Sequence, residues 1–216
     1  MKTWSVVIFD MDGTLFDTEM ISKLAWEAAG KKYRLPISEE FMLKLIGLTP
    51  KNAQIIYDAY MPEGWPQEAA FQFHEKFIHD FRIQNGVPPK GDLNYILSTL
   101  KERGYRLGLA TSARHDNMMF NIEMANIKKY FDIMLSAEMM EHGKPDPDIY
   151  FKTMQGMNVN AEDCIVIEDS FNGIKSAYAS GATVVMIPDM MQPNEEILSM
   201  CDYKFDKLED ILTILK

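Results

Sequence analysis

The stretch VVIFDMDG, residues 6–13, decides the fold. Its first four residues, Val6–Phe9, are apolar and mostly β-branched, which predicts a strand buried on both faces. Two acids, Asp10 and Asp12, and then Gly13 follow at once, as is typical of a turn. We therefore expect a buried strand whose carboxyl end carries two carboxylates.

Four later runs share this strand composition, and segments of helical length separate them. The predicted strands are Tyr105–Ala110, Ile133–Ser136, Cys164–Ile167 and Thr183–Ile187. The predicted helices are Asp92–Arg103, Arg114–Ala125, Asp148–Met157 and Phe171–Ser180. Strands and helices that alternate in this way predict an α/β fold with a doubly wound, Rossmann-like parallel sheet. Such sheets bind ligands at the carboxyl ends of their strands.

Residues 16–86 break this alternation, because they contain no convincing strand. They show four helical patterns, namely Met20–Lys32, Glu39–Ile46, Lys51–Tyr60 and Gln67–Asn85. Ser38 and Thr49 stand at two helix starts as N-caps, the second followed by a proline. The sequence therefore predicts an α/β core of residues 1–15 and 87–216, with residues 16–86 inserted as an all-helical domain.

Composition excludes several functional classes. The 216 residues carry 22 Lys and Arg against 32 Asp and Glu, a net charge of −10, which argues against a nucleic-acid partner. Two cysteines cannot build a disulfide framework. The four apolar residues before Asp10 are too few for a signal peptide, and no run approaches the roughly 20 residues of a membrane span. We expect a cytoplasmic monomer without a membrane partner.

Polar residues follow the predicted strands, where a doubly wound sheet builds its site. They are Asp10, Asp12, Thr111, Ser112, Lys144, Glu168 and Asp169. Four carboxylates that converge would repel one another unless a cation lay among them. An all-oxygen set suits a hard ion, so we expect Mg²⁺, which commonly completes its coordination with phosphate oxygens. The pattern therefore indicates phosphoryl chemistry.

The spacing of these residues permits a double displacement. Asp10 can attack phosphorus to form an aspartyl phosphate that water then hydrolyses. Asp12 can protonate the leaving alcohol and afterwards take a proton from that water. Lys144 and the Thr111 hydroxyl can hold the remaining phosphate oxygens. Taken singly, Thr111 and Ser112 fit a helix N-cap equally well.

Four motifs, in order, resemble those of the haloacid dehalogenase superfamily of phosphohydrolases. They are FDMDGTLFDTE at residues 9–19, LATS at 109–112, GKPDPDIY at 143–150 and VIEDSFNGI at 166–174. The resemblance implies Asp10 as nucleophile, Asp12 as general acid and base, and Thr111 and Lys144 as phosphate ligands. It also implies Mg²⁺ on Asp10, Asp169, the Asp12 backbone carbonyl and Glu168. A helical cap between the first two motifs is a feature of the family, so the resemblance implies that residues 16–86 are a cap domain on a catalytic core of residues 1–15 and 87–216. The branch of β-phosphoglucomutase and small sugar-phosphate phosphatases is the most similar.

The sequence is compatible with three functions, two of them within this family and one outside it. We favour a phosphatase acting on a small sugar phosphate or related metabolite, with Ser112, Gly47, Thr49 and Lys51 expected to bind the substrate. The alternative is a sugar phosphomutase. The mutases carry an arginine in the cap loop and a histidine in the first cap helix. Both are absent here, and Ser22 stands at the position of the histidine. A non-catalytic receiver-like signalling domain is the remote third.

The histidines carry weaker signals. His74 and His79 are five residues apart and so do not share a helix face, which favours core or solvated positions over a metal pair. His115 follows the second motif and is a weaker candidate for the cleft.

Overall fold

The structure is a computed structural model in which we describe residues 4–45 and 50–216, with residues 50–52 described by their backbone alone. The chain divides into two compact units, Met1–Asp17 with Val87–Lys216, and Thr18–Gly86. Phe16 and Asp17, which the sequence pattern placed in the helical segment, lie in the first unit. The Phe16 N–H donates to the Met11 carbonyl at 3.1 Å, and the Asp17 N–H donates to the Pro88 carbonyl at 2.8 Å.

The first unit is built on a six-stranded sheet whose described pairings are all parallel. Its strands are β1 Val6–Phe9, β2 Arg106–Ala110, β3 Ile133–Leu135, β4 Cys164–Glu168, β5 Thr183–Met186 and β6 Tyr203–Lys204. Their order across the sheet is β3-β2-β1-β4-β5-β6. The predicted doubly wound α/β fold is confirmed, and β6 adds an edge strand that the sequence did not predict.

The α-helices of the described residues flank this sheet or make up the second unit. In chain order they are α1 Thr18–Tyr33, α2 Glu39–Leu45, α3 Pro50–Tyr60, α4 Gln67–Asn85, α5 Leu93–Glu102, α6 His115–Met124, α7 Asp148–Met157, α8 Phe171–Ala179 and α9 Glu195–Ser199. Helices α2 and α9 are the shortest of these, with seven and five residues. None of the helices in the described part of the chain combines the length and apolarity needed to cross a membrane.

The register of the sheet places the functional candidates together. Strand β1 lies between β2 and β4, with Phe9 opposite Leu109 on one side and Ile167 on the other. All four β1 side chains are fully buried, which explains the uninterrupted apolar run. Since parallel strands end at the same edge, Asp10, Thr111 and Glu168 lie along one border of the sheet.

The second unit is a helical bundle in which α1 packs against α4. Its core is aromatic, and the Trp26 ring lies at its centre. Ser38 caps α2, because its hydroxyl accepts a hydrogen bond from the Phe41 N–H at 3.1 Å. Gly86, with φ of 75°, ends α4 in a conformation that favours glycine.

Candidate active site

Asp10 directly follows β1, where its N–H continues the ladder by donating to the Ile167 carbonyl at 3.0 Å. Its side chain is only 8% exposed. Burial raises the pKa of Asp10 to about 8; the nearby Lys144 ammonium opposes this shift, and the Glu168 charge adds to it. The carboxylate is therefore held out of water in a negatively charged environment.

Lys144 balances part of that charge through three hydrogen bonds. Its Nζ lies 2.5 Å from Asp10 Oδ1, 2.7 Å from Glu168 Oε1 and 3.3 Å from the Ala110 carbonyl oxygen. An ammonium group has three protons, so each has an acceptor here. Burial by itself would lower the pKa of Lys144, but the charges of Asp10 and Glu168 outweigh it and raise the pKa well above its usual range. Lys144 is thus a fixed cation.

Glu168, the last residue of β4, is fully buried. Its Oε2 accepts hydrogen bonds from the Asp169 N–H at 3.0 Å and from both the N–H and hydroxyl of Ser170 at 3.2 Å. These donors stand at the N-terminus of α8, which favours a negative charge. Gly173 permits this approach, because a Cβ there would overlap the Glu168 carboxylate.

Asp169 is held by the turn that follows β1. The Thr14 hydroxyl donates to its Oδ1 at 3.1 Å. Gly13 has φ of 82°, and a Cβ at this position would collide with the Asp169 carboxylate, so only glycine fits. Burial, and then the charges of Glu168 and Asp10, raise the pKa of Asp169 well above its usual range.

Asp10, Glu168 and Asp169 together form an acidic cluster. One carboxylate oxygen from each lies within 4.8 Å of the others, a spacing that could hold a metal ion. Three carboxylates face one ammonium group, and after burial the charges of the neighbouring acids contribute to the raised pKa values of Asp10 and Asp169. An all-oxygen donor set of this kind fits a hard divalent cation.

Comparison with known proteins identifies the family. Residues 7–187 match the haloacid dehalogenase-like hydrolases, a span that includes all four motifs and the acidic cluster. This chain belongs to that family. The resemblance seen in the sequence is therefore confirmed.

Several relatives of this haloacid dehalogenase-like hydrolase have named activities. The phosphorylated carbohydrates phosphatase of Thermotoga maritima is 26% identical and is matched over 97% of each chain. The fructose-1-phosphate phosphatase YqaB of Escherichia coli is 29% identical, over 85% of this chain and 96% of its own. A crystal structure described as a putative β-phosphoglucomutase from Thermotoga maritima is 25% identical and superposes with a TM-score of 0.80 over 98% of both chains.

The second motif of this hydrolase lies beside the cluster. Thr111 is buried and directly follows Ala110, whose carbonyl accepts from Lys144. The Thr111 hydroxyl accepts from the Ala113 N–H at 3.0 Å and keeps its own proton to donate. The N-cap alternative is wrong for both Thr111 and Ser112, because α6 begins at His115 with Arg114 in the cap position. Ser112 is exposed.

The remaining predicted site residues are less closely defined. Asp12 is half-buried in the turn after β1, where its backbone pairs with that of Phe16. Gly47 and Thr49 lie outside the described residues, and Lys51 is described only as part of the α3 backbone.

Sequence reasoning missed two residues near the cluster. Tyr150 donates from its hydroxyl to Glu168 Oε1 at 2.8 Å, a contact that no local signal predicts. Asp189, three residues after β5, pairs with Lys90 Nζ at 2.5 Å, and its charge contributes to the raised pKa of Asp169. The strand-end rule that found Asp10 could also have found Asp189, because both follow parallel strands at the same edge.

The histidines take no part in the acidic cluster. His115 is exposed, and its backbone N–H donates to both Glu138 carboxylate oxygens at 3.0 and 3.1 Å. His74 lies in the second unit, where its ring packs 4.6 Å from that of Trp26 and its Nε2 lies 3.2 Å from the Ser22 hydroxyl. Of the two positions that the sequence allowed for His74, the core position is confirmed.

Proposed function

We propose that this protein is a Mg²⁺-dependent phosphatase that hydrolyses a small phosphomonoester, a sugar phosphate or related metabolite, through an aspartyl phosphate on Asp10. One observation carries the proposal: the buried Asp10 carboxylate lies in one cluster of charged side chains with Lys144, Glu168 and Asp169. A carboxylate nucleophile, a fixed cation and a metal-binding cluster are the groups that phosphoryl transfer to an aspartate requires.

The acidic cluster would hold the metal through Asp10, Glu168 and Asp169, with the backbone carbonyl of Asp12 as a further ligand. When bound there, Mg²⁺ neutralises charge on the phosphoryl oxygens and orients the phosphate for in-line attack. Gly13 and Thr14 fix the Asp169 side of this site, since glycine gives space and the Thr14 hydroxyl donates to Oδ1.

The chemistry itself belongs to the two acids of the first motif. Asp10 attacks phosphorus, and the bond between phosphorus and the leaving oxygen breaks as the aspartyl phosphate forms. Asp12 gives its proton to the leaving alcohol. In the second half, water attacks the phosphorus, Asp12 takes the proton from that water, and inorganic phosphate departs while the Asp10 carboxylate is regenerated.

Lys144 and Thr111 stabilise the transferring group. Lys144 keeps a positive charge beside Asp10 throughout, because its raised pKa holds the proton. The Thr111 hydroxyl donates to a phosphate oxygen. In this proposal Ser112, Gly47, Thr49 and Lys51 contact the rest of the substrate.

The comparisons support this reaction class. Family membership and the named phosphatases among the relatives support a phosphoric monoester hydrolase. Two of those relatives are named for phosphorylated carbohydrates and for fructose 1-phosphate, which favours a sugar phosphate as the substrate here.

A phosphomutase is the second candidate, favoured by the similarity to a structure described as a putative β-phosphoglucomutase. A mutase would use the same aspartyl phosphate but return the phosphoryl group to the substrate. It would therefore need a sugar bisphosphate as activator, whereas the phosphatase would not.

The deciding experiment is phosphate release from a panel of sugar, polyol and glycolate phosphates and one aryl phosphate, with and without Mg²⁺. We expect Mg²⁺-dependent release by the wild type and none by Asp10→Asn. Isomerisation without net release, and only with added bisphosphate, would replace the phosphatase by the mutase. No turnover under either condition would contradict both.

A further inference from the structure

Tyr150 is a fully buried aromatic residue in the first turn of α7. Its N–H donates to the Pro147 carbonyl at 3.0 Å, which ties the start of the helix to the loop that bears Lys144. The Lys144 ammonium lies 5.1 Å from the centroid of the Tyr150 ring, within the range of a cation–π contact. The residue therefore touches the proposed catalytic lysine directly.

The Tyr150 hydroxyl shares an acceptor with that lysine. Glu168 Oε1 accepts from the Tyr150 hydroxyl at 2.8 Å and from Lys144 Nζ at 2.7 Å. The other carboxylate oxygen accepts from Asp169 and Ser170 at the start of α8. Both oxygens of Glu168 are thus held in place, and Tyr150 supplies the one neutral side-chain donor to Oε1 among the described contacts.

This arrangement fixes the direction in which Lys144 points. The ammonium divides its protons among Glu168, Asp10 and the Ala110 carbonyl, so any movement of Glu168 Oε1 changes the pull on the Asp10 carboxylate. Without the Tyr150 hydroxyl, Oε1 would keep only the lysine as a donor from this pair. The ammonium would then move toward Glu168 and away from Asp10.

We propose that Tyr150 is a positioning residue for the Asp10 nucleophile, acting through Glu168 and Lys144. The proposal rests on the proposed function, because it assigns to Tyr150 the aiming of the attacking carboxylate. Tyr150 holds Glu168 Oε1, Glu168 sets the position of Lys144, and Lys144 holds Asp10 Oδ1 in the direction of attack. Partners one contact away from a metal site commonly act in this way.

The test is Tyr150→Phe, which removes one oxygen and keeps the ring. We expect kcat on the best phosphomonoester to fall about tenfold. KM should change by less than about twofold, because the hydroxyl aims the nucleophile and does not hold the substrate. The matched control is Tyr105→Phe. Tyr105 is also buried, but it precedes β2 at the opposite edge of the sheet, and its hydroxyl lies 3.5 Å from the Lys216 carbonyl.

Equal kcat values for the two variants would overturn the proposal, and so would a loss confined to KM. A second readout does not depend on turnover: in a crystal structure of Tyr150→Phe, Lys144 Nζ should have left hydrogen-bond distance of Asp10 Oδ1. An unmoved ammonium would also overturn the proposal. If the wild type releases no phosphate from any substrate, the proposed function fails, and the crystal structure still decides whether Tyr150 positions Lys144.

Discussion

The two units bury side chains of opposite character. The first unit buries the carboxylates of Asp10, Glu168 and Asp169 around one lysine at the edge of its sheet. The helical unit buries aromatic rings, and those of Phe41, Tyr57, Phe71 and His74 all lie within 6 Å of the ring of Trp26. The first cluster is polar and charged, while the second is almost wholly apolar.

The difference shows what each cluster contributes. Burying charge costs free energy unless every charge is paired, and the acidic cluster has more negative groups than Lys144 can balance. Aromatic pairs stabilise the fold through area and edge-to-face contacts. We therefore expect substitutions in the acidic cluster to change turnover and to leave the unfolding free energy unchanged, whereas substitutions around Trp26 should lower the unfolding free energy. Four variants test this contrast, from the largest expected effect to the smallest.

Replacing the nucleophile should have the largest effect. Asp10→Asn should lower kcat by about 10⁴ or more, because an amide does not attack phosphorus. Its unfolding free energy should not fall, since the amide carries no charge to bury and Lys144 keeps Glu168 as a partner. Phosphate release and urea denaturation measure the two effects. Asp206→Asn, 86% exposed on the surface, is the control and should change neither. More than a tenth of wild-type turnover in Asp10→Asn would contradict the nucleophile assignment.

The second variant separates the two acids of the first motif. Asp12→Asn should lower kcat/KM on an alkyl phosphate by about 10²–10⁴, because the leaving alcohol needs a proton. An aryl phosphate with a good leaving group needs none and should lose much less. Kinetics on both substrates measure the ratio, and equal losses would count against Asp12 as the acid.

The third variant moves to the aromatic cluster. Trp26→Ala should lower the unfolding free energy of the helical unit by about 3–5 kcal/mol, through lost burial and the cavity left behind. Denaturant unfolding followed by far-UV circular dichroism measures it. Ile55→Ala, at a side chain 65% exposed, is the control and should stay within about 0.5 kcal/mol of the wild type. A loss below about 1 kcal/mol in Trp26→Ala would break the comparison.

The smallest effect concerns pH and His74. Burial lowers the pKa of His74 to about 4, while the hydrogen bond with Ser22 opposes the shift. The unfolded chain protonates this histidine near its usual pKa of 6.5, but the folded chain does not do so until about pH 4. The contribution of neutral, buried His74 to the unfolding free energy is therefore complete above pH 6.5 and is lost as the pH falls toward 4.

Stability measurements across this range check the sign. His74 should account for a fall of about 2 to 3 kcal/mol in the unfolding free energy between pH 6.5 and 4. His74→Phe keeps a ring against Trp26 and removes the titrating group, so its curve should be flatter by that amount. Identical pH dependence in the two proteins would show that His74 is not held neutral by the fold.

The sequence predicted those parts of the fold that depend on short-range pattern. The runs Val6–Phe9 and Cys164–Ile167 are apolar throughout because both faces of these strands are covered, so their strands were predicted closely. Strand β6 was missed, because its two residues are exposed at the sheet edge and carry no apolar run. The sequence predicted that Asp10, Lys144, Glu168 and Asp169 lie together because they follow the predicted strands, and the structure brings these four side chains together.

Hydrogen-bond partners that tertiary packing brings together could not be predicted from the sequence. The Tyr150 hydroxyl reaches Glu168 across 18 positions, and Ser22 meets His74 across 52. Neither pair has a spacing that any local rule recognises. The packing of α7 on β2 and β3 brings Tyr150 to Glu168, and the packing of α1 on α4 brings Ser22 to His74. Such contacts follow from the tertiary fold.

The central claim is that Asp10 becomes phosphorylated during turnover. The most direct measurement is rapid acid quenching during steady-state hydrolysis, followed by borohydride reduction of the acyl phosphate and peptide mass spectrometry. We predict that the reduced aspartate is Asp10, and that neither Asp10→Asn nor enzyme without substrate gives this product. A phosphoryl group trapped on any other residue, or turnover in which Asp10 is never modified, would contradict the account.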